Sequence, residues 1–140
     1  VHSTAATASK AIIEIQPRAR SAPTRSAQPV GGPRGERAVE LCESMIDIVA
    51  ALFNVSGREL RRSGRTDQSI TRVRQIAMYV SHVVLRLSMN EVGHGFGRDR
   101  TTVLHACHLI EDMRDDEDFD CLVARTERVA LAAFRNRLGL

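Results

Sequence analysis

The sequence predicts an all-α protein: a compact helical bundle with an amphipathic helix behind it and a disordered tail in front. Three observations carry this expectation. Apolar residues recur at three- and four-residue spacing from residue 36 onward, no segment alternates polar and apolar residues, and all four prolines lie within residues 1–35. The tail is rich in Ser, Thr and Ala and ends in the breaker PVGGPRG, too polar to offset its own ordering entropy. Three stretches follow: a disordered, weakly basic tail over 1–35, a folded domain over 36–116, and a last helix within 117–140.

The first helix begins near Glu36, with Ala38, Leu41, Cys42, Met45, Ile48, Val49 and Leu52 on one face. A short second helix covers about 56–62, where Ser56 and Glu59 have the spacing of a capping box. The third runs over about 69–87, its stripe formed by Ile70, Val73, Ala77, Val80, Val84 and Leu87, with Tyr79 and His82 on the polar, surface side. Ser88 and Glu91 make another capping box, opening a fourth helix that ends in the glycines 93, 95 and 97. Asp99 caps a fifth helix reaching about residue 115. The sixth covers about 118–138, with Phe119, Leu122, Val123, Ala130, Ala133 and Phe134 on one side. That stripe either covers the small core, the favoured role, or forms a homodimer.

Composition narrows the function. The longest apolar runs are a few residues, far short of the roughly 20 that span a bilayer, so no membrane segment is expected. Three cysteines without C-x-x-C spacing fit a reduced, cytoplasmic protein. Of the basic residues, 19 are arginines and Lys10 is the one lysine, which leaves the folded part without a lysine for a phosphate loop or a Schiff base. No nucleotide, cofactor or enzymatic activity is expected.

The fourth and fifth helices, joined by a Gly-containing turn, have the anatomy of a helix-turn-helix. In that motif the N-terminal residues of the second helix meet base edges in the major groove. Here they are Arg98, Asp99, Arg100, Thr101 and Thr102, with His105 one turn on. Arginine grips phosphate or reads guanine, threonine offers a hydroxyl and a methyl, and Asp99 both caps the helix and can accept from cytosine. Residues 56–74 add six arginines, among them Arg62 and Arg65, against two acids. Residues 111–120 reverse the sign, with Arg114 against seven acids. The expected partner is double-stranded DNA. The alternative is a protein-interaction adaptor or inhibitor using the acidic 111–120 patch and the last helix.

The run LSMNEVGHGFGRDRTTVLHACHLIEDM at 87–113 closely resembles the C-terminal, origin-box-binding domain of the bacterial replication initiator DnaA. The resemblance extends upstream through IVAALFNVSGRELRRSGR and ITRVRQIAMYVSHVV, covering about 46–113. It implies that Arg98 to Cys107 begin a recognition helix and that Arg74 and Gln75 also contact DNA at box-like sites. It implies regulation of transcription or of replication initiation, at the nucleoid, by a domain standing alone without the initiator's ATPase part. Four departures bear on base preference. The residue after Asp99 is Arg100 where the family usually has His, and the Gly-Phe-Gly turn is one residue shorter. The minor-groove arginine position falls at Thr66, between Arg65 and Asp67, and Val73 replaces the usual Pro.

The HACH run at 105–108 imitates a metal site, but helix geometry separates its members. At 100° per residue, His105 and Cys107 point about 160° apart. Cys107 falls on the apolar side with Val103, Ala106 and Ile110, whereas His105 and His108 lie on the polar side near Asp112. Ligands on one exposed helix without supporting partners rarely hold an ion, so no metal is expected.

Overall fold

The computed structural model describes residues 32–138, and within them every regular element is an α-helix: α1 (Gly32–Phe53), α2 (Gly57–Arg61), α3 (Gln68–Val83), α4 (Met89–Phe96), α5 (Arg100–Met113) and α6 (Glu117–Leu138). The tail expected over 1–35 lies outside the described residues up to residue 31. Its last four residues belong to α1 instead, because Pro33 falls in the first helical turn, where a missing N–H is no loss.

α3 is the central helix, packed against α1 on one side and α5 on the other, while α4 lies along α1. This centrality explains why its polar side is short. Val73, Ile76, Ala77, Met78, Tyr79, Val80 and even Ser81 are buried. Tyr79, expected at the surface, is 6% exposed. Its hydroxyl donates to Glu111 (2.7 Å) and accepts from Arg114 (3.2 Å), so the buried phenol is satisfied and burial raises its pKa. α3 also stops earlier than its apolar period suggests. The chain turns through Arg86, at φ 58°, and still places Leu85 and Leu87 inside. His82 closes the turn through a 2.8 Å bond between Nδ1 and the Leu87 carbonyl.

The stripe of α1 keeps Ala38, Leu41, Cys42, Met45 and Val49 but differs from expectation in its other members. Ile46 is buried, Ile48 is half-buried, and Leu52 is 40% exposed. α6 places Val123, Thr126, Ala130 and Phe134 against α1 and α3, whereas Ala133 is exposed. The stripe that could have dimerised is therefore occupied within the chain. Arg114 fastens the start of α6, donating to Asp120 (2.5 Å) and Glu127 (3.1 Å). Together with the Tyr79–Glu111 bond and the Asp116 carboxylate that accepts from the Phe119 N–H, this engages three acids of the 111–120 segment within the chain, while Asp112, Asp116, Glu117 and Asp118 stay exposed. No described helix is long and apolar enough to cross a membrane.

Candidate nucleic-acid interface

The two helices of the motif are positioned by glycine and by caps. Ser88 accepts from the Glu91 N–H (3.1 Å) and Glu91 accepts from the Ser88 N–H (2.8 Å), completing the capping box of α4. Burial acts to raise the Glu91 carboxyl, but hydrogen bonds from Ser88 and from Arg34 (3.1 Å) outweigh it and hold it below the usual carboxylate range. Only Gly97 ends α4, in the left-handed region at φ 66°. Gly93 and Gly95, expected to terminate the helix, lie within it and allow close approach. A side chain at Gly93 would meet the Arg98 carbonyl at 2.7 Å, and one at Gly95 would meet Cys42 Sγ.

Asp99 caps α5, its Oδ1 accepting from the Thr102 N–H at 2.7 Å, and that bond depresses its pKa. Thr101, Thr102 and His105 are exposed on the outer face of α5, and Arg100 is half-exposed at its first position. The first-turn N–H groups and the helix dipole give this end a positive potential. The opposite face carries Val103, Ala106, Cys107 and Ile110 into the core. The HACH run thus divides as its angles require, into a buried cysteine and an exposed His105.

Burial and neighbouring carboxylates raise both core thiols to about 12, Cys42 beside Glu43 and Glu91, and Cys107 beside Glu111. Cys121 is exposed. Brief alkylation of the folded protein is expected to modify Cys121 alone, counted by mass spectrometry. Equal labelling of Cys107 would mean that α5 is not seated as described.

The basic run divides in a way its composition does not reveal. Arg62 and Arg65 are exposed beside Gly64, whose φ of 89° shapes the loop between α2 and α3. Arg61 turns back and pairs with Glu43 (2.6 Å) and Asp47 (3.2 Å) on α1. Gln75 is half-buried and accepts from Arg72 (2.9 Å). Arg74, expected on the DNA-facing surface, is 6% exposed and sits beneath the loop. Its guanidinium donates to the carbonyls of Leu60 (2.8 Å), Glu59 (3.0 Å) and Arg62 (3.4 Å) and reaches Thr66 Oγ1 (3.5 Å). A five-residue helix leaves its last carbonyls without intrahelical partners, and Arg74 supplies them. A sequence signal existed: Arg74 stands three and four residues before the buried Ala77 and Met78, on the inward arc of α3.

Arg98 joins the two halves. Its Nη2 donates to the Arg62 carbonyl at 2.7 Å, which places the loop of Arg62 and Arg65 beside the first turn of α5.

Residues 42–110, from the middle of α1 to the last turn of α5, match the family described as the bacterial DnaA protein helix-turn-helix. The chain carries a DnaA helix-turn-helix domain. Over 77 residues it is 46% identical to the chromosomal replication initiator protein DnaA of Mesorhizobium japonicum, a match covering 54% of this chain and 16% of that protein. The DnaA of Agrobacterium fabrum is 47% identical over 72 residues, covering 51% of this chain and 15% of the initiator. The match thus spans about a sixth of the length of these initiators. Two solved structures share the fold. A crystal structure of a DNA replication initiation factor aligns with a TM-score of 0.64 and 28% identity, covering 71% of this chain and 31% of that one. The replication initiator DnaA bound to AMPPCP and single-stranded DNA aligns at 0.60 and 26%, covering 69% and 30%. The family match ends at residue 110, before α6, and lies within the helix-turn-helix part of the initiator.

Proposed function

We propose that this DnaA-type domain binds double-stranded DNA sequence-specifically at box-like sites and acts at the nucleoid to regulate replication initiation or transcription. The first turn of α5 enters the major groove, where Asp99, Arg100, Thr101, Thr102 and His105 meet bases and phosphates. Arg62 and Arg65 lie along the adjoining backbone or minor groove. The observation that supports this most is the 2.7 Å bond from Arg98 to the Arg62 carbonyl, because it brings the loop of the exposed Arg62 and Arg65 beside the first turn of α5. Arg100 extends the reach of the first turn and makes guanine a favoured neighbour.

Selection from a random duplex library, followed by titration of the recovered sequence at several salt concentrations, tests this reading. Thr101→Ala is expected to lose about 1–3 kcal/mol of discrimination between selected and random duplexes. Arg62→Ala should weaken both alike and reduce the salt slope by about 0.9, the value of one phosphate contact. Absence of binding to any duplex at low salt would overturn the proposal and return attention to protein partners. The adaptor alternative has less support, since Glu111, Asp116 and Asp120 are engaged within the chain.

A further inference from the structure

We propose that Arg98 is a positioning residue, not a DNA contact, and that with Arg74 it locks the α2–α3 loop to the first turn of α5 through the shared Arg62 carbonyl. The inference rests on the DNA-binding reading for its consequence, but its geometry belongs to the free protein.

The Arg62 carbonyl accepts from two guanidinium groups, Arg98 Nη2 at 2.7 Å and Arg74 Nη2 at 3.4 Å. A carbonyl oxygen has two lone pairs and can accept both. Arg74 arrives from beneath, on the buried central helix, and Arg98 arrives from the turn of the helix-turn-helix. The loop backbone is tied at one end by the Arg62 N–H to the Glu59 carbonyl (3.3 Å) and at the other by the Thr71 N–H to the Asp67 carbonyl (3.0 Å). Between those ties, the two arginines and the Thr66–Thr71 hydroxyl pair (2.9 Å) hold it.

The environment of Arg98 argues against a phosphate role. Its Nε is buried without a hydrogen-bond partner, so only part of the guanidinium faces solvent, and the best-placed N–H is already donated to the loop. The side-on contact through Nε and Nη2 is thereby closed to phosphate, and three of the five N–H groups, both on Nη1 and one on Nη2, remain. The two guanidinium groups also stand close enough that Arg98, after burial, helps hold the pKa of Arg74 below its ordinary value. Two cations gathered at one carbonyl are tolerated because that carbonyl belongs to the negative end of α2. The consequence is specificity by register. With the loop fixed to α5, Arg65 reaches its part of the duplex only when Thr101 and Thr102 are correctly seated.

The test uses the full chain and two variants, Arg98→Met, which keeps the stem and removes the donors, and Arg98→Lys, which restores one. Without DNA, Arg98→Met is expected to raise amide hydrogen exchange at Arg62, whose N–H holds the near end of the loop, about tenfold while the buried amides of α3 stay protected. Arg98→Lys should recover most of that protection. On the selected duplex, the penalty of Arg65→Ala should shrink in the Arg98→Met background, a non-additivity that separate contacts do not produce. Unchanged loop exchange, with additive penalties and a salt slope lower by about 0.9, would overturn the proposal and make Arg98 a phosphate contact. If no duplex is bound, the functional reading fails, and the exchange measurement alone upholds or overturns the lock. Should Arg98→Met unfold, Arg98→Gln decides in its place: raised exchange at Arg62 with α3 still protected supports the lock, and unchanged exchange overturns it.

Discussion

Phe134→Ala is expected to lower the stability of the domain by about 3–5 kcal/mol, the range for emptying a buried aromatic site, read as a drop in the denaturant midpoint. Phe134 is 2% exposed and closes the core from the α6 side, with Arg137 stacked 5.8 Å from its ring. The family-model match ends at residue 110, before α6 begins. The packing nonetheless makes α6 part of the core. Val123, Thr126 and Ala130 precede Phe134 on the same inward line, and Thr126 bonds the Leu122 carbonyl (2.9 Å) rather than leaving a hydroxyl bare in the core. A loss below about 1 kcal/mol would show that α6 is an appendage and that residues up to the end of α5 fold alone.

Gly93→Ala should remove specific binding while the domain stays folded. The added Cβ would stand 2.7 Å from the Arg98 carbonyl oxygen and 3.5 Å from the Asp99 carbonyl carbon, both backbone atoms that cannot swing aside. Overpacking of this kind costs about 1–3 kcal/mol, relieved here by pushing the start of α5 away from α4. Because Asp99, Thr101 and Thr102 move with that start, affinity for the selected duplex should fall by about tenfold or more. Gly97→Ala is the control. Its φ of 66° makes alanine strained, but a side chain there meets nothing within 4 Å, so stability falls with a smaller effect on binding. Equal loss of binding in both variants would mean that close approach at Gly93 does not seat the reading helix.

The parts of this fold that were readable in sequence are those set by neighbours along the chain. Ser56, Ser88 and Asp99 were recognisable as caps because each bond spans only three residues. The face of α5 followed from helix angles alone, with Cys107 inward and His105 outward. What escaped was set by contacts distant in sequence. Tyr79 is buried because Glu111 and Arg114, more than thirty positions away, satisfy its hydroxyl. Arg74 is buried because α2 ends above it and turns the carbonyls of Glu59, Leu60 and Arg62 toward its guanidinium. Apolar periodicity also overran α3, since Leu85 and Leu87 keep the inward pattern through a turn. The candidate site was therefore readable as a list of residues, but the difference between those that face outward and those that hold others in place was not.

The outward surface formed by Arg62, Arg65, Arg100, Thr101, Thr102 and His105 contains no lysine. Guanidinium groups keep their charge at every physiological pH and present no amine for acetylation. Under the proposed DNA-binding reading, the charge that this face offers a polyanion is built into arginine and is not erased by acetyl transfer. The groups on this face that a charge-changing modification can reach are the hydroxyls of Thr101 and Thr102.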